Sequence, residues 1–121
     1  MAHSERFLKL VDQARTRIRE ISPEDTQARL ERGDDILLID TREESEWARG
    51  HVKGAVHLGK GIIERDIENV APDLDREIIL YCGGGFRSAL AADALQDMGY
   101  TNVSSMADGW RGWLDRGLPT E

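Results

Sequence analysis

A chain of 121 residues, 40% hydrophobic and 32% charged, has the size and composition of one compact domain that can bury its core without disulfide or metal staples. A formal net charge of −7 argues against general nucleic-acid binding, which needs basic surface to neutralise phosphate, though it leaves room for a local anion site. The single cysteine, Cys82, cannot form an internal disulfide, and it shows no ligand spacing with the scattered His3, His51 and His57, so no oxidising compartment, metal or other cofactor is called for. Without a signal-like apolar start or a run of ~18 apolar residues, no membrane span is expected and the cytoplasm is the expected location.

Residues 4 to 20 put Phe7, Leu10, Val11, Ala14 and Ile18, with Ile21 beyond, at helical spacing, and Arg6, Lys9, Arg15, Arg17 and Arg19 on the remaining surface. This predicts an amphipathic N-terminal extension over residues 1–20, followed by the main domain over 21–121. Five basic and three acidic residues leave this extension at +2 and the remainder at −9. A charge of two is modest for a membrane-surface helix, so the apolar stripe is assigned to packing on its own domain or on a second subunit, as a homodimer contact.

Ser22-Pro23-Glu24-Asp25 supplies an N-cap, a first-turn proline and first-turn acids, predicting a helix to about Gly33. Ile36-Leu37-Leu38-Ile39-Asp40 is a short apolar run, as in a strand buried on both faces, with Asp40 at its C-terminal edge. A short helix over 43–49, a strand over 55–58 and a helix over 61–69 follow, the last with Ile62, Ile63 and Ile67 on one face and a stop near Pro72. Glu77 to Tyr81 is a second strong strand; it runs through a glycine-rich turn into a helix from Ser88 to Met98, ended by Gly99. Asn102 to Met106 reads as a further core strand, and Trp110, Trp113 and Leu114 mark a final helix. Alternating strands and helices predict an α/β fold, a mainly parallel sheet covered on both faces.

The chemistry concentrates in Tyr81-Cys82-Gly83-Gly84-Gly85-Phe86-Arg87-Ser88. Cys82 ends a buried strand just before a helix begins, where open α/β sheets place their ligands. Gly83, Gly84 and Gly85 permit backbone angles that turn successive N–H groups around one point, and the helix start adds partial positive charge. Such surroundings favour thiolate over thiol. A thiolate held this way can take sulfur from a donor as Cys–S–S⁻, and the same N–H groups would hold the persulfide anion. A lone cysteine is otherwise most often a small buried hydrophobe; the triple glycine turns the reading toward a reactive thiol.

These residues carry a resemblance. Leu38 to Arg42, Gly50-His51-Val52-Lys53-Gly54-Ala55-Val56, the Cys82–Ser88 loop and Gly109-Trp110-Arg111-Gly112-Trp113 occur in an order and spacing similar to the rhodanese-like sulfurtransferases, over about residues 20 to 118. The resemblance implies a three-layer fold on a five-stranded, mainly parallel sheet, Cys82 as the persulfide-forming nucleophile and residues 83 to 87 as the loop amides around it. Related phosphatases of this fold place five residues between cysteine and arginine; four separate Cys82 from Arg87, which points to sulfur transfer.

Around this loop the remaining candidates divide between structure and site. Asp40 and Arg42 match the family's Asp-x-Arg turn and are expected to hold loops together beside the site, with donor contact by Arg42 as the lesser reading. Arg87 is divided between a neighbouring carboxylate and the site potential, with its backbone N–H as the preferred contribution. Phe86 walls the pocket or anchors the loop; Ser88 caps the following helix or donates to sulfur. His51 is assigned to a turn, and Trp110 and Trp113 to core packing. The expected activity is transfer of sulfane sulfur from a small donor, thiosulfate foremost, to a thiol, a protein thiol or cyanide. The alternatives are a non-enzymatic interaction module, a phosphatase and a redox thiol protein.

Overall fold

A computed structural model of the chain describes residues 3–121. Ser4 caps the first helix, α1 (Glu5–Arg15), by accepting the Phe7 N–H at 3.2 Å. Then come β1 (Arg19–Ile21), α2 (Pro23–Glu31), β2 (Leu37–Asp40), α3 (Glu44–Ala48), β3 (Val56–His57), a 3-10 turn (Lys60–Ile62) running into α4 (Ile63–Val70), β4 (Ile78–Tyr81), α5 (Phe86–Asp97), β5 (Val103–Met106) and α6 (Gly109–Asp115). The five strands form one all-parallel sheet in the order β1-β5-β4-β2-β3. This is the expected α/β fold, with β4 as the middle strand.

Strand alternation divides the core between the two sheet faces. On one face Ile39, Ile78 and Leu80 pack with Ile63, Ile67, Ala92 and Leu95 from α4 and α5. On the other, Leu38, Ile79 and Tyr81 pack with Met106 and the fully buried Trp113 of α6.

Two elements differ from the sequence reading. The helix expected over 4–20 ends at Arg15, and Arg19–Ile21 is the edge strand β1, paired in register with Ser104–Met106 of β5. Ile18 and Ile21 continue the helical spacing of residues 7–14, yet they pack into the two different core clusters, on opposite sides of the sheet. A strand partner 85 positions away is invisible to local periodicity. Ile62, expected on the buried face of α4, lies in the preceding 3-10 turn and is exposed, whereas Ile63 and Ile67 are fully buried. Of the apolar stripe expected on α1, Val11 and Ala14 are buried and the helix lies along α5, whereas Leu10 faces outward and is exposed.

Candidate active site

Cys82 leaves the C-terminal end of β4 and is 1% exposed. Its loop is held from outside by α6: Trp110 N–H donates to the Cys82 carbonyl at 2.7 Å, and Arg111 N–H to the Gly83 carbonyl at 3.0 Å. That approach depends on Gly109, whose φ is +52° and where a Cβ would lie 2.3 Å from the Cys82 carbonyl oxygen. Asp108 before it is the one non-glycine residue with positive φ among those described. Of the three loop glycines, Gly85 takes the left-handed conformation, at φ +93°. At Gly83 a Cβ would come within 3.2 Å of the Arg87 guanidinium, a tight approach to the end of a side chain, whereas at Gly84 it would only touch the Phe86 ring at 3.4 Å.

The Cys82 Sγ accepts from Gly85 N–H at 3.2 Å and Ser88 N–H at 3.4 Å, and the Ser88 hydroxyl stands 3.6 Å away. Of the amides of residues 83 to 87, that of Gly85 meets the sulfur, and the second N–H comes from one residue beyond. Gly85, not Ser88, occupies the N-cap of α5; Ser88 already sits inside the first turn, fully buried, which leaves its hydroxyl for Sγ and for Ser105 Oγ at 2.8 Å. A twelve-residue helix therefore starts with its positive end beside the sulfur.

Above the sulfur opens a cleft of about 180 Å³ lined by Cys82, Gly83, Gly84, Phe86, Arg87, Arg111, Phe7 and His3. The Arg87 side chain forms a forked pair with Glu46 of α3 at 2.8 and 3.2 Å. That pairing raises the Arg87 pKa and holds the Glu46 carboxyl at about 2, so both stay charged across the physiological range.

Asp40 and Arg42 form a buried pair under the neighbouring turn rather than in the cleft. Asp40 accepts from the Arg42 backbone N–H at 2.9 Å and from its guanidinium at 2.7 to 3.1 Å, while Arg42 also donates to the Gly50 carbonyl at 2.7 Å and stacks 4.7 Å from the Trp110 ring. Tyr81 OH donates to Asp40 at 2.8 Å and accepts Val52 N–H at 3.0 Å; burial, then the adjacent Asp40 carboxylate, push its pKa far up. This network ties the start of β3's loop to β2 and β4 and lies outside the cleft lining. His51 stacks on Trp47 with centroids 3.5 Å apart, in keeping with a turn role.

Four parts of the site escape a linear reading: Glu46, Ser105, Arg111 and the N-terminal pair of His3, just before α1, and Phe7 within it. Phe7 falls in the apolar stripe of a helix and Ser105 in a core strand, so their periodicity reports burial only. The glycine-tryptophan segment at 109–113 did carry a signal, since its glycine is what lets α6 reach the loop.

Comparison with known proteins places residues 22–116 under the model of the rhodanese-like domain. The chain is 32% identical over 102 residues to a sulfurtransferase of Allochromatium vinosum, covering 84% of this chain and 94% of that one. It is 35% identical over 103 residues to the thiosulfate sulfurtransferase GlpE of Haemophilus influenzae, covering 85% and 94%. A solved structure from Rhodopseudomonas palustris, of a protein of unknown function described as a possible tyrosine phosphatase, superposes with a TM-score of 0.90 at 29% identity, covering 100% and 98% of the two chains. The chain belongs to the rhodanese-like domain family.

Proposed function

We propose that this rhodanese-like chain is a double-displacement sulfurtransferase that carries sulfur on Cys82. One observation carries the proposal: two backbone N–H groups and a hydroxyl converge on Sγ at 3.2, 3.4 and 3.6 Å, at the floor of a cleft. Donors fixed around a sulfur anion stabilise it without reorganising during reaction. The names of the Allochromatium and Haemophilus relatives support the same activity.

In the first step the Cys82 thiolate attacks the outer sulfur of a small donor, thiosulfate in the leading case. The donor's S–S bond breaks, its electron pair leaves with sulfite, and Cys82 becomes Cys–S–S⁻. In the second step an acceptor thiolate, from a cellular thiol or a protein, attacks the terminal sulfur; cyanide serves as an assay acceptor. The Cys82 S–S bond breaks, the pair returns to Sγ, and the acceptor departs as a persulfide or, from cyanide, as thiocyanate. Both steps are anion displacements, so no separate general base is required. The Gly85 and Ser88 donors face Sγ, where charge returns in the second step, and the α5 N-terminus favours charge on the outer sulfur of the persulfide. The Asp40–Arg42 pair acts as support for the turn beside the loop. A thiol nucleophile works where thiols stay reduced, which favours the cytoplasm. A homodimer through α1 would have to use the outer face around the exposed Leu10, because Val11 and Ala14 are already packed.

A phosphatase reading draws on the description of the Rhodopseudomonas neighbour. It meets two obstacles: the four-residue spacing from Cys82 to Arg87, and an arginine whose guanidinium is engaged by Glu46. The test is intact mass spectrometry after incubation with thiosulfate, which should add about 32 Da, one sulfur atom, to the wild type and nothing to Cys82→Ala. Equal behaviour of the two proteins refutes the proposal, and phosphate release from an aryl phosphate without any sulfur adduct favours the phosphatase.

A further inference from the structure

The family match begins at residue 22, yet the cleft over Cys82 takes one wall from residues before it. His3 and Phe7 face Phe86 of the cysteine loop, with ring centroids 4.5 Å (His3–Phe86), 6.2 Å (Phe7–Phe86) and 5.2 Å (His3–Phe7) apart, all tilted. Further along the same helix, Arg15 lays its guanidinium 5.0 Å from the Phe86 ring centroid and points toward the Gly85 carbonyl at 3.5 Å. The wall is anchored: Val11 and Ala14 are buried, and Arg17, just past the helix, forks onto Asp93 of α5 at 2.9 and 2.7 Å.

The lining also holds two cations. Arg87 is neutralised by Glu46, whereas Arg111 is exposed and pairs with no carboxylate among the described residues. The cleft thus offers a face of three rings, the apolar Phe7 and Phe86 with the imidazole of His3, and one uncompensated positive charge around a single sulfur. An inorganic oxyanion can use the charge alone. A sulfur compound with a hydrocarbon arm and one negative group can use both, and its arm desolvates the rings.

We propose that α1 is the specificity element of the sulfur-transfer site, selecting organic sulfur compounds that carry an aromatic or aliphatic group beside the transferable sulfur together with a single anionic group. Phe7 and His3 contact the arm, Arg111 the anion, and Arg15 is a positioning residue that acts through Phe86. The proposal rests on Cys82 being the sulfur carrier.

Benzenethiosulfonate and methanethiosulfonate separate the arm from the chemistry. Both are monoanions, and with both the Cys82 thiolate attacks the terminal sulfur, the S–S bond breaks and the pair leaves with a sulfinate. The ratio of kcat/KM for the phenyl donor to that for the methyl donor should fall about tenfold in Phe7→Ala, mainly through KM, the size of effect expected for losing a stacked aromatic contact. Leu10→Ala, on the outer face of the same helix, should keep the wild-type ratio, and Arg111→Gln should weaken both donors together. Calorimetry of benzenesulfinate on Cys82→Ser judges the wall without turnover: binding should weaken about tenfold when Phe7→Ala is added. A ratio and a binding constant that stay within about twofold of their parents, or an equal shift in Leu10→Ala, overturn the proposal. Failure of every donor to load Cys82 would refute the carrier assignment instead, while the binding measurement still decides on the wall.

Discussion

Gly109 is where the fold and the site are most tightly joined, and replacing it with alanine gives a calculable loss. At φ +52° an L-residue pays about 1 kcal/mol or more for the left-handed conformation. The added methyl would lie 2.3 Å from the Cys82 carbonyl oxygen and 2.9 Å from that of Gly83, so either the loop or the start of α6 must move. Movement breaks the bonds from Trp110 N–H to Cys82 and from Arg111 N–H to Gly83, each contributing about 1 kcal/mol. The expected loss is about 3 to 4 kcal/mol, a large share of the 5–15 kcal/mol typical of a whole domain. In urea, with a slope of about 2 kcal/mol/M, the midpoint should fall by about 1.5 to 2 M. Gly117 provides the control: its φ is +64° and nothing lies within 4 Å of its missing Cβ, so Gly117→Ala should cost only the dihedral term, about 1 kcal/mol. Equal midpoints for the two variants would show that the close approach of α6 to the cysteine loop contributes nothing to stability. Folded Gly109→Ala should also load sulfur more slowly, because Gly85 and Ser88 would no longer be held around Sγ.

Three further outcomes follow from other contacts. Tyr81→Phe leaves the buried Val52 N–H without its acceptor and removes a donor from Asp40, and should cost about 2 to 4 kcal/mol in thermal or urea unfolding. Glu46 is lowered from 4.5 to about 2 by Arg87, so its contribution to stability is complete above about pH 4.5 and drains away as pH falls toward 2; acid unfolding of Glu46→Gln should lack that component, and identical acid profiles would contradict the pairing. Ser88→Ala should slow persulfide formation about tenfold by single-turnover mass spectrometry while Ser105→Ala has a smaller effect, since only the former removes a hydroxyl beside Sγ.

Strands β2 and β4 were legible because each is a short apolar run bounded by turn residues, β3 and β5 followed from the alternation of strand and helix patterns around them, and the cysteine loop stood out because strand, glycines and helix start follow one another without interruption. What stayed hidden was whatever depends on partners far along the chain. Arg19–Ile21 carries no glycine or proline to stop a helix, so Ile18 and Ile21 extend the pattern of α1 until the pairing with β5 decides otherwise. Glu46 is one acid among several in residues 43–46, and only the arrival of Arg87, 41 positions later, distinguishes it. Phe7 has the same signature as any core residue, although part of its ring surface faces a cleft. Asp40 and Arg42 could be placed at a sheet edge from sequence, but the division of that edge into a buried clamp and an open cleft is a matter of packing.

The placement of β4 at the middle of five strands has a consequence for motion. Local opening begins at edges, and amide exchange with solvent deuterium grades a protein from its fraying margins to its last-opening centre. In this order β1 and β3 are the margins and β4, which delivers Cys82, has two strands on either side. The amides of Ile79 and Leu80 should therefore be among the slowest to exchange, and those of β1, which joins α1 to the sheet, among the faster. Cys82 is thereby delivered from the part of the sheet that opens last, so the position of its sulfur outlasts any fraying at the margins.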